Sequence, residues 1–269
     1  MLPDPIFLNV HMYGVMIALG VLGAFATLYL FGKKLEIEMK LLDFAFYNGV
    51  ASIGVGFLSA ALFQGVYEYI ENPEKGFSLQ NGITFIGGLI GGVVMFLLVY
   101  FLLRKRLGLK ITKLLSLAPC CITIAHGLGR IGCFFAGCCY GKATDSIFGI
   151  KFPALAVKVL PTQLFEAIFL LLLYVIMSFL LLKFRFRHNL SLYLVCYGIF
   201  RFFIEYLRGD DRGELVGIIS PSQFWSLLMV VIGVALYFGL RAFYKKHDEL
   251  VPEEAVEVDA IDDAQETAE

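Results

Sequence analysis

Residues that carry chemistry concentrate between 126 and 141, His-Gly-Leu-Gly-Arg-Ile-Gly-Cys-Phe-Phe-Ala-Gly-Cys-Cys-Tyr-Gly, at the end of a hydrophobic run. His126, Arg130, Cys133, Cys138 and Cys139 all fall in this stretch. A lipid-facing helix has no use for such side chains. Charge at membrane depth is costly and normally marks a polar cavity or a substrate path. Gly137 and Gly141 suggest irregular backbone, which is tolerated at that depth only inside protein or against a cavity. The plainer alternative is a helix end with a snorkelling arginine and buried thiols. A second charged set weighs against it. Arg201, Glu205 and Arg208 stand at i, i+4 and i+7, on one helical face. Arginine forks match phosphate or carboxylate oxygens bidentately, so Arg130 and Arg201 point to an anion site. An ion pair between Arg201 and Glu205 that only locks helices together is the competing reading.

The elements that must position these residues are membrane spans. At 269 residues, 59% hydrophobic and 17% charged, with a mean hydropathy of +0.78, the chain is all-α and polytopic, because a soluble domain of this size has no way to hide so much apolar surface. A net charge of −1 provides no basic field for nucleic acid. A span needs roughly 20 apolar residues, and runs near 12–32, 42–66, 83–103, 112–129, 163–183, 190–207 and 221–240 qualify. The fourth is short and the sixth is interrupted by charge. The first has no lysine or arginine between Met1 and His11, so it reads as a retained span and not a cleaved signal.

Orientation follows from the basic residues. Lys33, Lys34 and Lys40 follow the first span; Arg104, Lys105, Arg106, Lys110 and Lys113 follow the third. Lys183, Arg185 and Arg187 follow the fifth, and Arg241, Lys245 and Lys246 the seventh. These connections hold 14 of the 22 basic residues, which predicts seven helices with the N-terminus outside and the C-terminus cytoplasmic. The predicted organisation is a seven-span domain over 1–247 with an outer-face loop over 130–160. Residues 248–269, with ten acidic residues and no lysine or arginine, form an acidic disordered cytoplasmic tail.

Two further features have structural alternatives. Gly87-Gly88-Leu89-Ile90-Gly91-Gly92 holds overlapping GxxxG pairs, which in an apolar span usually mean close helix packing, with ligand contact as the other reading. The six cysteines do not form paired CxxC modules, so no metal site is expected. Buried packing, a disulfide or a thiol site all remain open for Cys133, Cys138 and Cys139.

Several segments, taken in order, resemble the prolipoprotein diacylglyceryl transferase family. Residues Gly129-Arg130-Ile131-Gly132-Cys133 through Gly141 are similar to its signature G-R-x-G-N-F-x-N-G-E-x-x-G. Tyr13-Gly14 resembles the family's Y-G, and Thr84-Phe85-Ile86-Gly87-Gly88-Leu89 its S-F-H-G-G-L. Pro161-Thr162-Gln163-Leu164-Phe165-Glu166 resembles P-S-Q-L-Y-E, and Arg201 through Arg208 is similar to R-F-x-x-E-F-F-R. Gln223 matches the glutamine that opens the last span. The resemblance runs from about residue 10 to 240.

It implies transfer of the diacylglyceryl group of phosphatidylglycerol to the lipobox cysteine of a prolipoprotein signal peptide, forming a thioether and releasing glycerol phosphate. It implies a bacterial plasma (inner) membrane protein embedded in the lipid bilayer, with its active site toward the outer leaflet and no cofactor. Arg130 and Arg201 would clamp the phosphate, with Arg208 at the rim, Glu205 orienting an arginine and Tyr13 bonding substrate. Gly87, Gly88, Cys133, Cys138, Gly141, Gln163 and Glu166 fall at matched positions and are expected to line the substrate site. Three matched positions depart from the family. Ile86 replaces its histidine, Cys133 its asparagine and Cys138 its signature glutamate. His126, one helical turn before Arg130, is the candidate to supply the imidazole as a thiol base. Other readings are a phospholipid-headgroup transferase with another acceptor, and a membrane thiol-disulfide oxidoreductase using Cys133, Cys138 and Cys139.

Overall fold

A computed structural model describes residues 11–79, 82, 84–209 and 219–248. Its seven α-helices are α1 (Met12–Lys34), α2 (Met39–Glu71), α3 (Phe85–Leu107), α4 (Thr112–Ala136), α5 (Thr162–Phe184), α6 (Asn189–Ile204) and α7 (Pro221–Asp248). Short 3₁₀ turns cover Pro73–Lys75 and Glu205–Leu207. Two-residue strands β1 (Ile150–Lys151) and β2 (Lys158–Val159) pair antiparallel within the α4–α5 loop. All seven helices are long and apolar enough to cross a membrane, α6 with its following turn. Arg212 and the acidic tail beyond Asp248 lie outside the described residues.

The helices end where their sequences tell them to. Basic residues close the last turns of α1 (Lys33, Lys34), α3 (Arg104, Lys105, Arg106) and α5 (Lys183), where they complement the negative end of the helix dipole. Gly108 adopts φ 67° just past α3, the left-handed cap that glycine takes without strain. These termini gather at one end of the bundle, which is the basic end. The polar motifs gather at the other.

α1 packs on α4, α2 on α3, α6 on α7, and α4 also on α5 and α6. Small residues bring the paired backbones together, as is usual where lipid leaves little hydrophobic drive for association. A Cβ on Gly20 of α1 would lie 3.1 Å from the Ala125 carbonyl of α4, and one on Gly198 of α6 would lie 2.9 Å from that of Ser226 on α7. The core at the basic end is built from Leu41, Leu42, Leu117, Met177 and Leu181, all buried. Asn189, fully buried at the start of α6, ties that core together by donating to the Ser116 and Met177 carbonyls at 3.1 and 3.3 Å.

Two span boundaries differ from the sequence expectation. α2 runs for 33 residues, about 50 Å at 1.5 Å per residue, well beyond the expected 42–66. α4 is not short: it continues through His126, Arg130 and Cys133 to Ala136. Irregular backbone therefore begins at Gly137 (φ 70°), and the loop spans 137–161, not 130–160. The polar residues do not break α4 because other helices satisfy them.

Candidate functional site

The α4 helix repeat puts His126, Arg130 and Cys133 on one face at i, i+4 and i+7. That face meets Glu166, which sits in the second turn of α5 and is 1% exposed. Its Oε1 receives Arg130 Nε at 3.0 Å and the Tyr197 hydroxyl at 2.7 Å, and faces His126 Nε2 at 3.8 Å. His126 Nδ1 shares a hydrogen bond with the Tyr193 hydroxyl at 3.2 Å, and its ring stands edge-on to Tyr197. A buried carboxylate without a cation would be strongly destabilising. Arg130 supplies that cation, and Tyr197 completes the coordination of the oxygen.

A second network lies where α6 meets α7. Arg201 Nη1 contacts Glu205 Oε2 at 2.7 Å, and Arg201 Nη2 donates to the Ser222 hydroxyl at 3.2 Å. Glu205 Oε1 accepts from the Ser220 hydroxyl at 3.1 Å, and Arg208 Nε lies 3.9 Å from Glu205 Oε2. Ser220 and Gln223 form a reciprocal capping box at the start of α7. The Gln223 amide donates to Ser220 Oγ at 3.2 Å, and the Ser220 amide donates to Gln223 Oε1 at 3.0 Å. Gln223 is thus explained as a helix start that fixes the serines around the Arg201–Glu205 pair.

The third part is a thiol corner. Gly137 (φ 70°) and Cys139 (φ 62°) turn the chain back on itself after α4. Gln163 Nε2 donates to the Cys138 carbonyl at 2.6 Å, and Thr162 Oγ1 to the Cys139 carbonyl at 3.0 Å. The amides of Gly141 and Lys142 bond the Leu160 and Leu207 carbonyls, and Gly141 bridges Arg208. The sulfur atoms of Cys133, Cys138 and Cys139 come within 4.8 Å of one another. The Cys138 thiol donates to the Cys133 carbonyl at 3.6 Å, and the neighbouring Cys133 and Cys138 thiols, and then the Arg208 guanidinium, lower the Cys139 thiol from its ordinary range. Tyr13 packs its ring against Gly132 one turn below. Cys120, Cys121 and Cys196 take no part in this cluster, and all six cysteines are free thiols.

The structure therefore brings together Tyr13, His126, Arg130, Cys133, Cys138 and Glu166 in one region, and Arg201, Glu205 and Arg208 in the adjoining one. Several placements differ from expectation. Arg208 is buried, with 3% of its side chain exposed, and is not at a rim. Glu166 and Gln163 are buried, where they hold Arg130 and the Cys138 turn. Gly87 and Gly88 face α2, not a cavity: a Cβ on Gly87 would lie 2.6 Å from Phe63 Cβ, and one on Gly88 would lie 3.3 Å from Ala60 Cβ. Gly141 is equally confined. An added Cβ would lie 2.5 Å from the Leu207 carbonyl and 2.8 Å from Thr162. Gly141→Ala is accordingly expected to lower stability by about 1–3 kcal/mol, read as a lower thermal midpoint of the detergent-solubilised protein.

Tyr193, Tyr197, Ser220 and Ser222 were not anticipated. The two tyrosines had a signal, since they precede Arg201 at i−8 and i−4 and so share its face. The serines had none beyond the S-x-x-Q capping pattern.

Seven apolar helices, with arginine–carboxylate pairs and a thiol turn at one end of the bundle, define a multi-pass membrane protein. Residues 5–239 match the family described as Prolipoprotein diacylglyceryl transferase. The chain is 35% identical over 252 residues to the phosphatidylglycerol–prolipoprotein diacylglyceryl transferase of Clostridium tetani, covering 89% of this chain and 96% of the relative. It is 34% identical over 240 residues to the enzyme numbered 2 of Clostridium perfringens (86% and 91% covered), and 33% identical over 239 residues to that of Pseudomonas aeruginosa (85% and 88% covered). The chain belongs to the prolipoprotein diacylglyceryl transferase family.

Proposed function

We propose that this protein transfers the diacylglyceryl group of phosphatidylglycerol to the lipobox cysteine of a prolipoprotein at the outer leaflet of a bacterial plasma membrane. The observation that carries this is a pair of arginines, each fixed by its own buried carboxylate: Arg130 by Glu166 and Arg201 by Glu205. A carboxylate on Arg130 Nε fixes the guanidinium plane without requiring its terminal nitrogens, which are the ones that make forked contacts to phosphate oxygens.

The substrate thiolate attacks the glyceryl carbon that carries the phosphate ester. The carbon–sulfur bond forms as the carbon–oxygen bond breaks, and glycerol phosphate departs with the electron pair. Cations that hold the phosphate more tightly as charge develops on the leaving oxygen lower the barrier. Arg130 and Arg201 take that role, with Arg208 supporting Glu205 and Tyr13 contacting substrate. His126 accepts the thiol proton, because thiolate is the nucleophile. Cys133 and Cys138 flank the substrate at the end of α4.

The test is incubation of the purified protein with labelled phosphatidylglycerol and a lipobox peptide, followed by mass spectrometry. The expected product is a peptide carrying a diacylglyceryl thioether, with equimolar glycerol phosphate. Turnover of the lipid without peptide modification would replace the thiol with another acceptor.

The orientation has its own test. With the N-terminus outside, a membrane-impermeant thiol reagent applied to intact cells should label Lys75→Cys and miss Lys110→Cys, each in a background without other reactive thiols. Labelling at 110 would invert the topology and with it the outer-leaflet placement.

A further inference from the structure

We propose that Cys133, Cys138 and Cys139 form a binding site for a thiophilic divalent cation of the zinc class, a departure from the expectation that the chain has no metal site. The proposal rests on the geometry of the cluster and is independent of the transferase reading. Three sulfur atoms lie within 4.8 Å of one another, although they come from two different parts of the backbone. Cys133 belongs to the last turn of α4, and Cys138 and Cys139 follow the left-handed Gly137.

A tetrahedral zinc ion with bonds of about 2.3 Å sets its sulfurs about 3.8 Å apart, so no pair has to close by more than about 1 Å. The turn is built to hold that arrangement. Gln163 and Thr162 fix the two carbonyls of Cys138 and Cys139, and Cys139 itself takes a positive φ of 62°. Both contacts fix the backbone from which Cys138 and Cys139 project.

Charge is also consistent. Three thiolates around a divalent cation leave one net negative charge, and the backbone bridge between Gly141 and Arg208 keeps that arginine beside the turn. The half-buried Cys133 and Cys139 with the exposed Cys138 leave a route for entry. Three protein thiolates leave one coordination position open, for water or for another ligand. Occupancy would staple the 137–139 turn to the end of α4 and hold the thiols away from oxidants. Thiols of the other class, Cys120, Cys121 and Cys196, lie elsewhere and provide the internal control.

The experiment uses the full-length protein in detergent, reduced and stripped of metal with a chelator, and titrated with Zn²⁺ or with Co²⁺ as a coloured probe. The expected result is one equivalent bound per chain and thiolate-to-cobalt charge-transfer absorption. Zn²⁺ should protect Cys133, Cys138 and Cys139 from alkylation, as mapped by peptide mass spectrometry, and leave the reactivity of Cys196 unchanged. This needs no variant and so does not depend on a mutant folding. Each of Cys133→Ser, Cys138→Ser and Cys139→Ser should weaken binding by about a hundredfold or more, beyond what loss of a merely supporting contact costs. Cys196→Ser should bind as the wild type does. Absent charge-transfer absorption, unprotected thiols, or equal binding by the three variants would overturn the proposal. So would a chain isolated with the mass deficit of a disulfide within the cluster, reversed by reductant.

Discussion

Arg130→Ala and Arg201→Ala should each lower diacylglyceryl transfer by about a hundredfold or more per folded molecule. Losing one preorganised donor to a developing anion costs roughly 3 kcal/mol, and at 1.36 kcal/mol per tenfold that is about two orders of magnitude. The two variants carry a second expected cost. Arg130→Ala strands Glu166, which is 1% exposed, while Arg201→Ala leaves Glu205 only the longer contact to Arg208 at 3.9 Å. An uncompensated buried charge costs about 3–5 kcal/mol, so expression and thermal midpoint should both fall, and rates have to be normalised to folded protein. Arg→Lys separates the two effects. It keeps the charge near the carboxylate and should restore stability, but a compact ammonium does not make the forked contact, so activity should return poorly. Full activity in either lysine variant would reduce that arginine to a counterion. Near-normal activity in either alanine variant would remove it from the phosphate site altogether.

The architecture was largely legible because each span announces itself locally. Apolar runs give seven helices, and clusters such as Arg104-Lys105-Arg106 mark both helix ends and the basic end of the bundle. The Arg201–Glu205 pair was also local, at i and i+4 on one helix. What could not be read is what depends on partners distant in sequence. Residues 126–136 look unfit for a helix when taken alone, and α4 nevertheless passes through them. Glu166 on α5 and Tyr193 and Tyr197 on α6 satisfy its polar face, and no spacing rule connects those positions. Glu166 and Gln163 were expected at the substrate for the same reason. The matched motif suggests that they line a substrate site, whereas the fold shows both 1% exposed, with Glu166 holding Arg130 and Gln163 holding the Cys138 carbonyl. Gly87 and Gly88 illustrate the converse, a motif whose packing meaning was available from its spacing and is what the α2–α3 contact uses.

His126→Gln should reduce the rate at neutral pH by roughly a hundredfold, the range for loss of a general base. The shape of the pH profile identifies the role. A substrate thiol with an unperturbed pKa of about 8.5 is mostly protonated at pH 7 and mostly ionised above pH 9. The variant's deficit should therefore shrink as pH rises, because the thiol then ionises without help. The geometry adds a companion. Tyr193 holds Nδ1 of His126 at 3.2 Å, while Nε2 faces Glu166 at 3.8 Å. Tyr193→Phe removes one hydrogen bond, worth about 1 kcal/mol, and should cost roughly fivefold by loosening the imidazole while leaving the base in place. Its deficit should follow that of His126→Gln in shrinking toward high pH. The opposing account makes His126 a strut in the Glu166 network. On that account both variants lose thermal stability, and activity per folded molecule keeps a constant ratio to wild type from pH 6 to 9.5. That constant ratio would sink the base assignment, because the ionisation of the acceptor would then owe nothing to the imidazole.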